Sequence, residues 1–195
     1  MSARGESNDS PARAPVILRV DERTLLRSLS DGDAAPMFAL IDANRAHLRR
    51  WLPWVDAVRE AAHTREFLRG VALREGDGSS LELAIEHDGE LAGIAGFRTL
   101  DPANRAGELG YWLRADRERR GVVTACCRAL VRHGFGELGL NRISLAAAVE
   151  NARSRRVAER LGFRLDGVLR EAEWLYDHFV DHALYSLLRR DTLAP

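Results

Sequence analysis

The chain has no lysine: all 29 of its basic residues are arginines. A mechanism that needs a catalytic lysine is therefore excluded. Cysteine is almost as scarce, with only Cys126 and Cys127, adjacent in a segment patterned as a helix. Neighbouring residues on a helix point in different directions, so an internal disulfide between them is implausible. With no disulfide framework, the expected location is the cytoplasm. Net charge is missing too, since 29 acidic residues balance the 29 basic ones, which argues against a dedicated nucleic-acid binder. Long apolar runs are absent, the stretch Ser144 to Val149 being typical of the longest, far short of the ~20 residues that cross a bilayer. No apolar stretch near Met1 marks a secretory signal, so no membrane association is expected. Internal repeats and linkers are also lacking.

What remains is the material of one domain: 195 residues, 46% hydrophobic and 30% charged, enough for a real core. Residues 1–15 are polar and small and read as a disordered tail, which leaves 16–190 as a single domain. The charge is balanced overall but uneven locally. Arg114 to Arg120 carries four arginines against Asp116 and Glu118, and Asn151 to Arg170 carries six against Glu159 and Asp166. Two locally positive segments in a neutral protein fit an anionic small-molecule ligand. Solvated surface arginines are the competing reading, and charge alone leaves both open.

Val16 to Val20 reads as a first strand, and Asp31 or Asp33 is placed to cap a helix running toward Arg45, with Met37, Leu40, Ile41 and Leu48 at helical spacing. Trp51-Leu52-Pro53-Trp54 breaks that helix, and another opens at His63-Thr64 and ends near Gly76. The period then shortens. Leu81 to Glu86 and Leu91 to Leu100 read as strands around a turn at His87-Asp88-Gly89-Glu90, with Arg105 to Leu113 as a third. A helix over Gly121 to Phe135 buries Val122, Cys126, Ala129 and Leu130. It is followed by a strand over Arg142 to Val149 and a helix over Ala152 to Leu161 that Gly162 terminates. Strands over Phe163 to Leu169 and His182 to Leu188 close the chain. The pattern predicts an α+β fold: a mixed, mostly antiparallel central sheet flanked by about four helices, with a crossover joining the central strands.

Two segments carry chemistry. In the first, the strand Glu108-Leu109-Gly110-Tyr111-Trp112-Leu113 leads through Arg119, Arg120 and Gly121 into a helix beginning Val122-Val123-Thr124. Free N–H groups and the positive end of the helix dipole make such a junction an anion site that suits a pyrophosphate, and the Thr124 hydroxyl adds a donor. Strand–loop–helix with one glycine is nevertheless common. In the second, Asn151 stands at an N-cap position and Ser154 lies one turn into the next helix. His133, His178 and His182 show no metal-ligand spacing, and no metal is expected. Trp51 and Trp54 suit either the lip of an acceptor pocket or the core.

Together these segments resemble the GNAT acetyltransferases, and in detail their RimJ/RimL group of ribosomal-protein N-terminal acetyltransferases. The likeness rests on Gly110-Tyr111-Trp112-Leu113, Arg120-Gly121 with Thr124, Glu150-Asn151 through Gly162-Phe163, Gly167-Val168-Leu169-Arg170-Glu171, Asp181, Tyr185-Ser186-Leu187-Leu188 and Trp51-Leu52-Pro53-Trp54. It runs from about Val16 to Arg190. One departure matters: the first glycine of the family's pyrophosphate loop is replaced by Arg119. If that position needs φ > 0, the arginine carries a strain of about 1–2 kcal/mol.

The resemblance implies a GNAT fold whose splayed central strands bind acetyl-coenzyme A (acetyl-CoA) as co-substrate, without a metal. It implies an N-acetyltransferase whose acceptor is a primary amine, most directly a protein N-terminal α-amine. Cofactor contacts are expected from Tyr111, Trp112, Leu113, Arg119, Arg120, Gly121, Val122, Val123, Thr124, Asn151, Ser154 and Arg156. Glu173 is placed as general base and Ser154 as proton donor to the leaving thiolate, and the apolar Trp174 beside Glu173 is expected to raise its pKa. Glu108 is the rival base, since it shares a strand face with Gly110 and Trp112. Pairing with a nearby arginine is the competing reading for Glu173, and a cross-strand charge pair fits Glu108 at least as well as a catalytic role. Trp51, Trp54, Glu108 and Glu173 are the expected acceptor-side residues. Two alternatives stay open: acetylation of a small-molecule amine such as an aminoacyl nucleotide or an antibiotic, and a non-catalytic acyl-CoA sensor. A homodimer is compatible with any of these readings.

Overall fold

The structure, a computed structural model, describes residues 15–192. The tail expected over residues 1–15 lies, but for Pro15, outside the described residues. Eight strands form one sheet in the order β1-β2-β3-β4-β5-β6-β8-β7. In chain order they are β1 (Ile17–Arg19), β2 (Thr24–Ser28), β3 (Leu81–His87), β4 (Glu90–Asp101), β5 (Ala106–Leu113), β6 (Arg142–Ala148), β7 (Arg164–Leu175) and β8 (His178–Leu188). Every neighbouring pair is antiparallel except β5 and β6, which run parallel. A parallel pair cannot be closed by a hairpin. The crossover here is the helix α4 (Val122–Gly136).

Alternation along the strands sends side chains to two apolar layers. On one face, α4 sets Val122, Cys126, Leu130 and Phe135 against Phe97, Leu109, Ile143 and Leu145. On the other, α1 (Ala34–Ala43) and α3 (Ala61–Gly76) bring Met37, Ile41 and Leu68 to Ile94 of β4, with Leu48 of α2 (Arg45–Leu48) and Val55. The fifth helix, α5 (Ala152–Arg160), follows β6 and ends where Gly162 takes φ 83°, the left-handed position that glycine fills without cost. At the expected hairpin turn, Asp88 and Gly89 both have positive φ, the backbone twist that matches two antiparallel strands.

The single helix expected between Asp31 and Leu48 is two. Asn44 interrupts it: its side-chain amide donates to the Leu40 carbonyl at 2.8 Å, and its Oδ1 accepts from the Ala115 N–H at 3.0 Å. A side chain that offers the backbone such alternatives ends a helix. Here it also fastens the β5–α4 connection to the helical layer. Asp33, a candidate cap, instead turns its carboxylate back to the Ser30 N–H at 2.8 Å and to Arg27 at 2.7 Å. Burial pushes the Asp33 carboxyl up, but these hydrogen bonds outweigh it and hold the pKa below its usual value. A depressed carboxyl contributes stability above its unfolded pKa of ~3.9, and that stability is lost as pH falls through the folded value. Asp33→Asn is therefore expected to be less stable than wild type near neutrality. The gap should shrink on acid titration of the unfolding equilibrium below about pH 4.

Candidate active site

The pairing of β5 changes partway along. Its parallel bridge to β6 runs from Ala106↔Arg142 only to Leu109↔Leu145. Beyond that point β5 stays with β4 as far as Gly93↔Leu113, while β6 continues with β8 to Ala148↔His182. The two central strands part, and the β5 edge from Gly110 to Leu113 faces an opening instead of a strand. This splay falls at the place expected for thioester binding, Tyr111, Trp112 and Leu113. An unpaired strand edge presents backbone N–H groups that can meet a carbonyl oxygen as it gains charge.

One wall of the opening is the start of α5. Asn151 caps it, its Oδ1 accepting from the Ser154 N–H at 3.1 Å. Across the gap, the Tyr111 hydroxyl and Ser154 Oγ are 2.7 Å apart. Burial, with a smaller contribution from Cys127, pushes the Tyr111 phenol well up, so it keeps its proton. Cys126 and Cys127 are both free and buried; burial pushes the Cys126 thiol up to about 12, which leaves it inert as a nucleophile.

The second wall is the loop into α4. Gly121, at φ 79°, is the N-cap of α4, and the Ala125 N–H is bonded to its carbonyl, so the N–H groups of Val122, Val123 and Thr124 precede the first helical bond. Arg119 has φ 62°: the arginine does occupy a left-handed position. Arg119 and Arg120 are exposed and have no ion-pair partner among the described residues. Glu118, beside them, is engaged with Arg153 of α5 and lies 3.5 Å from His47 of α2. Two uncompensated cations at the N-terminus of a 15-residue helix fit a diphosphate in charge and in donors. Arg156 is exposed on α5. Arg119→Gly is expected to stabilise the fold by about 1 kcal/mol in thermal or denaturant unfolding by relieving the strain. It should at the same time weaken acetyl-CoA binding, by up to about fivefold in calorimetric titration, by removing a charge.

The expected acceptor-side residues separate. Trp51 lines a cleft of about 540 Å³ that also takes in Arg49, Glu150, Tyr176 and Asp181. Trp54 does not line it; its ring packs edge-on against Trp112 at 6.1 Å, in the layer of Met37, Ile41 and Ile94. Glu108 is held by Arg98 across β4 and β5, and the stem of Arg98 lies over Gly110, within 2.7 Å of where a Cβ there would sit. Glu173 stands where β7 resumes pairing with β8 after a bulge, half-buried, with its carboxylate 3.5 Å from His182 Nε2. Trp174 points to the opposite face, as strand alternation requires, and stacks edge-on with Phe179 at 4.8 Å. Glu173 therefore has His182, not Trp174, as its neighbour.

Sequence reading missed the contacts that close this cleft. The Tyr176 hydroxyl donates to the Leu52 carbonyl at 2.5 Å, and the Arg49 guanidinium lies 3.8 Å from the Tyr176 ring centroid. Asp181 accepts from the Glu171 N–H at 2.8 Å, while its own carbonyl accepts from Val149 N at 2.9 Å. Glu171 has φ 49° within the bulge. Asp181 thus fixes the bulge that precedes Glu173. Among the described residues, no group of three or more His, Cys, Asp or Glu side chains is arranged to hold a metal.

Comparison with known proteins gives a consistent picture. Residues 23–164 match the family model described as an acetyltransferase (GNAT) domain. A Bacillus subtilis (strain 168) protein named as a ribosomal N-acetyltransferase, YdaF, is 36% identical over 174 residues, covering 89% of this chain and 95% of the relative. The ribosomal-protein-serine acetyltransferase of Escherichia coli (strain K12) is 30% identical, covering 87% and 94%. Among solved structures, RimL, the ribosomal L7/L12 α-N-protein acetyltransferase in complex with coenzyme A, superposes with a TM-score of 0.86 at 27% identity, covering 89% of this chain and 98% of that one. The microcin C7 self-immunity acetyltransferase MccE, in complex with acetyl-CoA and AMP, gives 0.83 at 27% identity, covering 87% and 94%.

Proposed function

The chain belongs to the GNAT acetyltransferases and is an acetyl-CoA-dependent N-acetyltransferase, and we propose that it acetylates a protein N-terminal α-amine of the ribosomal-protein type. The observation that carries the acetyl-transfer part of this reading is the opening between β5 and β6, with an unpaired strand edge, the Ser154 hydroxyl and a cationic helix start around it; the acceptor is supported by the ribosomal-protein relatives. Arg119, Arg120, Gly121 and the first N–H groups of α4 hold the diphosphate. The β5 edge at Tyr111 to Leu113 meets the thioester carbonyl and stabilises the oxyanion, an interaction that strengthens as charge develops. Glu173 takes the proton from the attacking amine, and Ser154 supplies the proton that the leaving sulfur needs. Glu108 is the weaker candidate for base because Arg98 already engages it.

An α-amine suits such spare machinery. Its pKa near 7.7–8.0, against ~10.4 for lysine, leaves about a few hundredfold more of it neutral at pH 7. The cleft beside Trp51 carries Glu150, Asp177 and Asp181 together with Arg49 and Arg50, and its carboxylates offer partners to a cationic chain terminus. A second reading, acetylation of an aminoacyl nucleotide, is favoured by one observation: the Trp51 ring lines that cleft, where it already takes the Arg50 guanidinium 5.6 Å from its centroid. Trp51→Ala is expected to raise the acceptor KM about tenfold with the melting temperature unchanged. Trp54→Ala should instead cost about 3 kcal/mol of stability. A panel of N-terminal peptides, aminoacyl nucleotides and aminoglycosides, read by thiol release, separates the acceptors: turnover confined to peptides supports the proposal, and turnover confined to nucleotides replaces it. A homodimer is supported by Leu165, Val168 and Leu169, exposed along the outer strand β7.

A further inference from the structure

The hydroxyl of Tyr111 is not accounted for by the role of its backbone. Tyr111 lies two residues past the last β5–β6 bridge, at Leu109↔Leu145, so its side chain stands at the mouth of the splay. Its Oη is 2.7 Å from Ser154 Oγ, on an element 43 residues away in sequence. Besides each other, the two hydroxyls have, among the described residues, only a long 3.4 Å contact, from the Tyr111 hydroxyl to the Ser154 carbonyl. Two hydroxyls bonded to each other hold two hydrogens and use one between them. The direction of the shared bond therefore decides which hydroxyl has a hydrogen left for a third group.

A phenol is the stronger donor and an aliphatic hydroxyl the stronger acceptor, so the shared hydrogen is that of Tyr111. The Ser154 N–H is bonded to Asn151 Oδ1, which fixes the backbone that carries the hydroxyl. We propose that Tyr111 is a positioning residue for Ser154: its hydroxyl donates to Ser154 Oγ and thereby turns the Ser154 proton toward the sulfur that leaves the thioester. Burial of the phenol keeps Tyr111 neutral and able to donate. The step balances. The amine nitrogen bonds to the acetyl carbon, the carbon–sulfur bond breaks, and its electron pair goes to sulfur. Sulfur takes the Ser154 proton while Tyr111 supports the oxygen left behind, and the proton that Glu173 removed from the amine returns through water to Ser154. Linked donors of this kind strengthen one another.

This inference rests on the acetyltransferase reading, but its test needs no acceptor. Coenzyme A bound to the full chain is titrated with pH, the thiolate being followed by its ultraviolet absorbance. In Tyr111→Phe the midpoint of the bound thiol is expected to rise by about one pH unit relative to wild type, a tenfold loss of preference for thiolate. Ser154→Ala should do the same, and the double variant should do no more than either, because the two act as one unit. With an acceptor, Tyr111→Phe should lower kcat about tenfold and leave the KM for acetyl-CoA unchanged. An unchanged midpoint in Tyr111→Phe overturns the proposal, as do effects of the two variants that simply add. A shifted midpoint without turnover of any acceptor upholds the proposal and removes the acceptor reading. Failure of wild type to bind coenzyme A removes both.

Discussion

Replacing Glu173 by glutamine is expected to lower kcat about 100-fold at pH 7 while leaving the KM for acetyl-CoA and the melting temperature near wild type. Glutamine keeps the volume of the side chain and a hydrogen-bonding group toward His182, which lies 3.5 Å from the carboxylate, but it cannot take a proton. Glu173 is carried on a hairpin whose bulge is pinned by Asp181, so the variant should be read as a loss of chemistry and not of structure. The deficit should narrow above about pH 8, where an α-amine is already mostly neutral. Glu108→Gln is the control: Arg98 engages that carboxylate, and a loss of less than about threefold is expected. A full effect at Glu108 with none at Glu173, measured by steady-state kinetics, would exchange the two roles.

The second large effect is expected at Gly93. A Cβ there would lie 2.1 Å from the Trp112 carbonyl oxygen and 3.0 Å from the Leu113 Cα, both backbone atoms. Relief requires β4 and β5 to separate, and the segment displaced is the stretch of β5 assigned to the thioester. Gly93→Ala should therefore cost about 3 kcal/mol in denaturant unfolding and lower kcat more than the lost stability explains. Gly110 makes the comparison. The three atoms nearest a Cβ at that position all belong to the Arg98 side chain, the nearest 2.6 Å away, and a flexible side chain can move. Gly110→Ala is expected to cost less than about 1 kcal/mol. Equal losses at the two glycines would show that backbone crowding is not what Gly93 relieves.

Much of this fold is legible in the sequence because its signals are local. The turn at Asp88-Gly89, the helix end at Gly162 and the buried face of α4 follow from residue types within a few positions of one another. The elements missed had weaker local signals. β2 has five residues with only Thr24 and Leu26 buried, too few alternations to register. The β7–β8 hairpin is longer than its apolar pattern because a bulge between Leu169 and Glu173 breaks the two-residue period. The break at Asn44 depends on a bond to Ala115, 71 residues away, which no local pattern contains.

The site divides in the same way. The loop from Arg119 to Thr124 and the cap at Asn151 lie where the strand–loop–helix pattern puts them. The left-handed backbone at Arg119 follows from the glycine that stands there in the family it resembles. The pairing of Tyr111 with Ser154, the docking of Tyr176 on Leu52 over 124 residues and the separation of Trp51 from Trp54 arise only when distant segments meet. The place of Glu173 follows from the family likeness alone. Its neighbour, His182, is on a different strand, and no local pattern links the two.

The most direct test of the central claim is product analysis by mass spectrometry after incubation with acetyl-CoA and a lysine-containing peptide, supplied with its N-terminus free or blocked. One acetyl group on the α-amine of the free peptide, with the blocked peptide untouched, is the expected result. Acetylation of the lysine side chain in both peptides, or no peptide product while an aminoacyl nucleotide is acetylated, would contradict it.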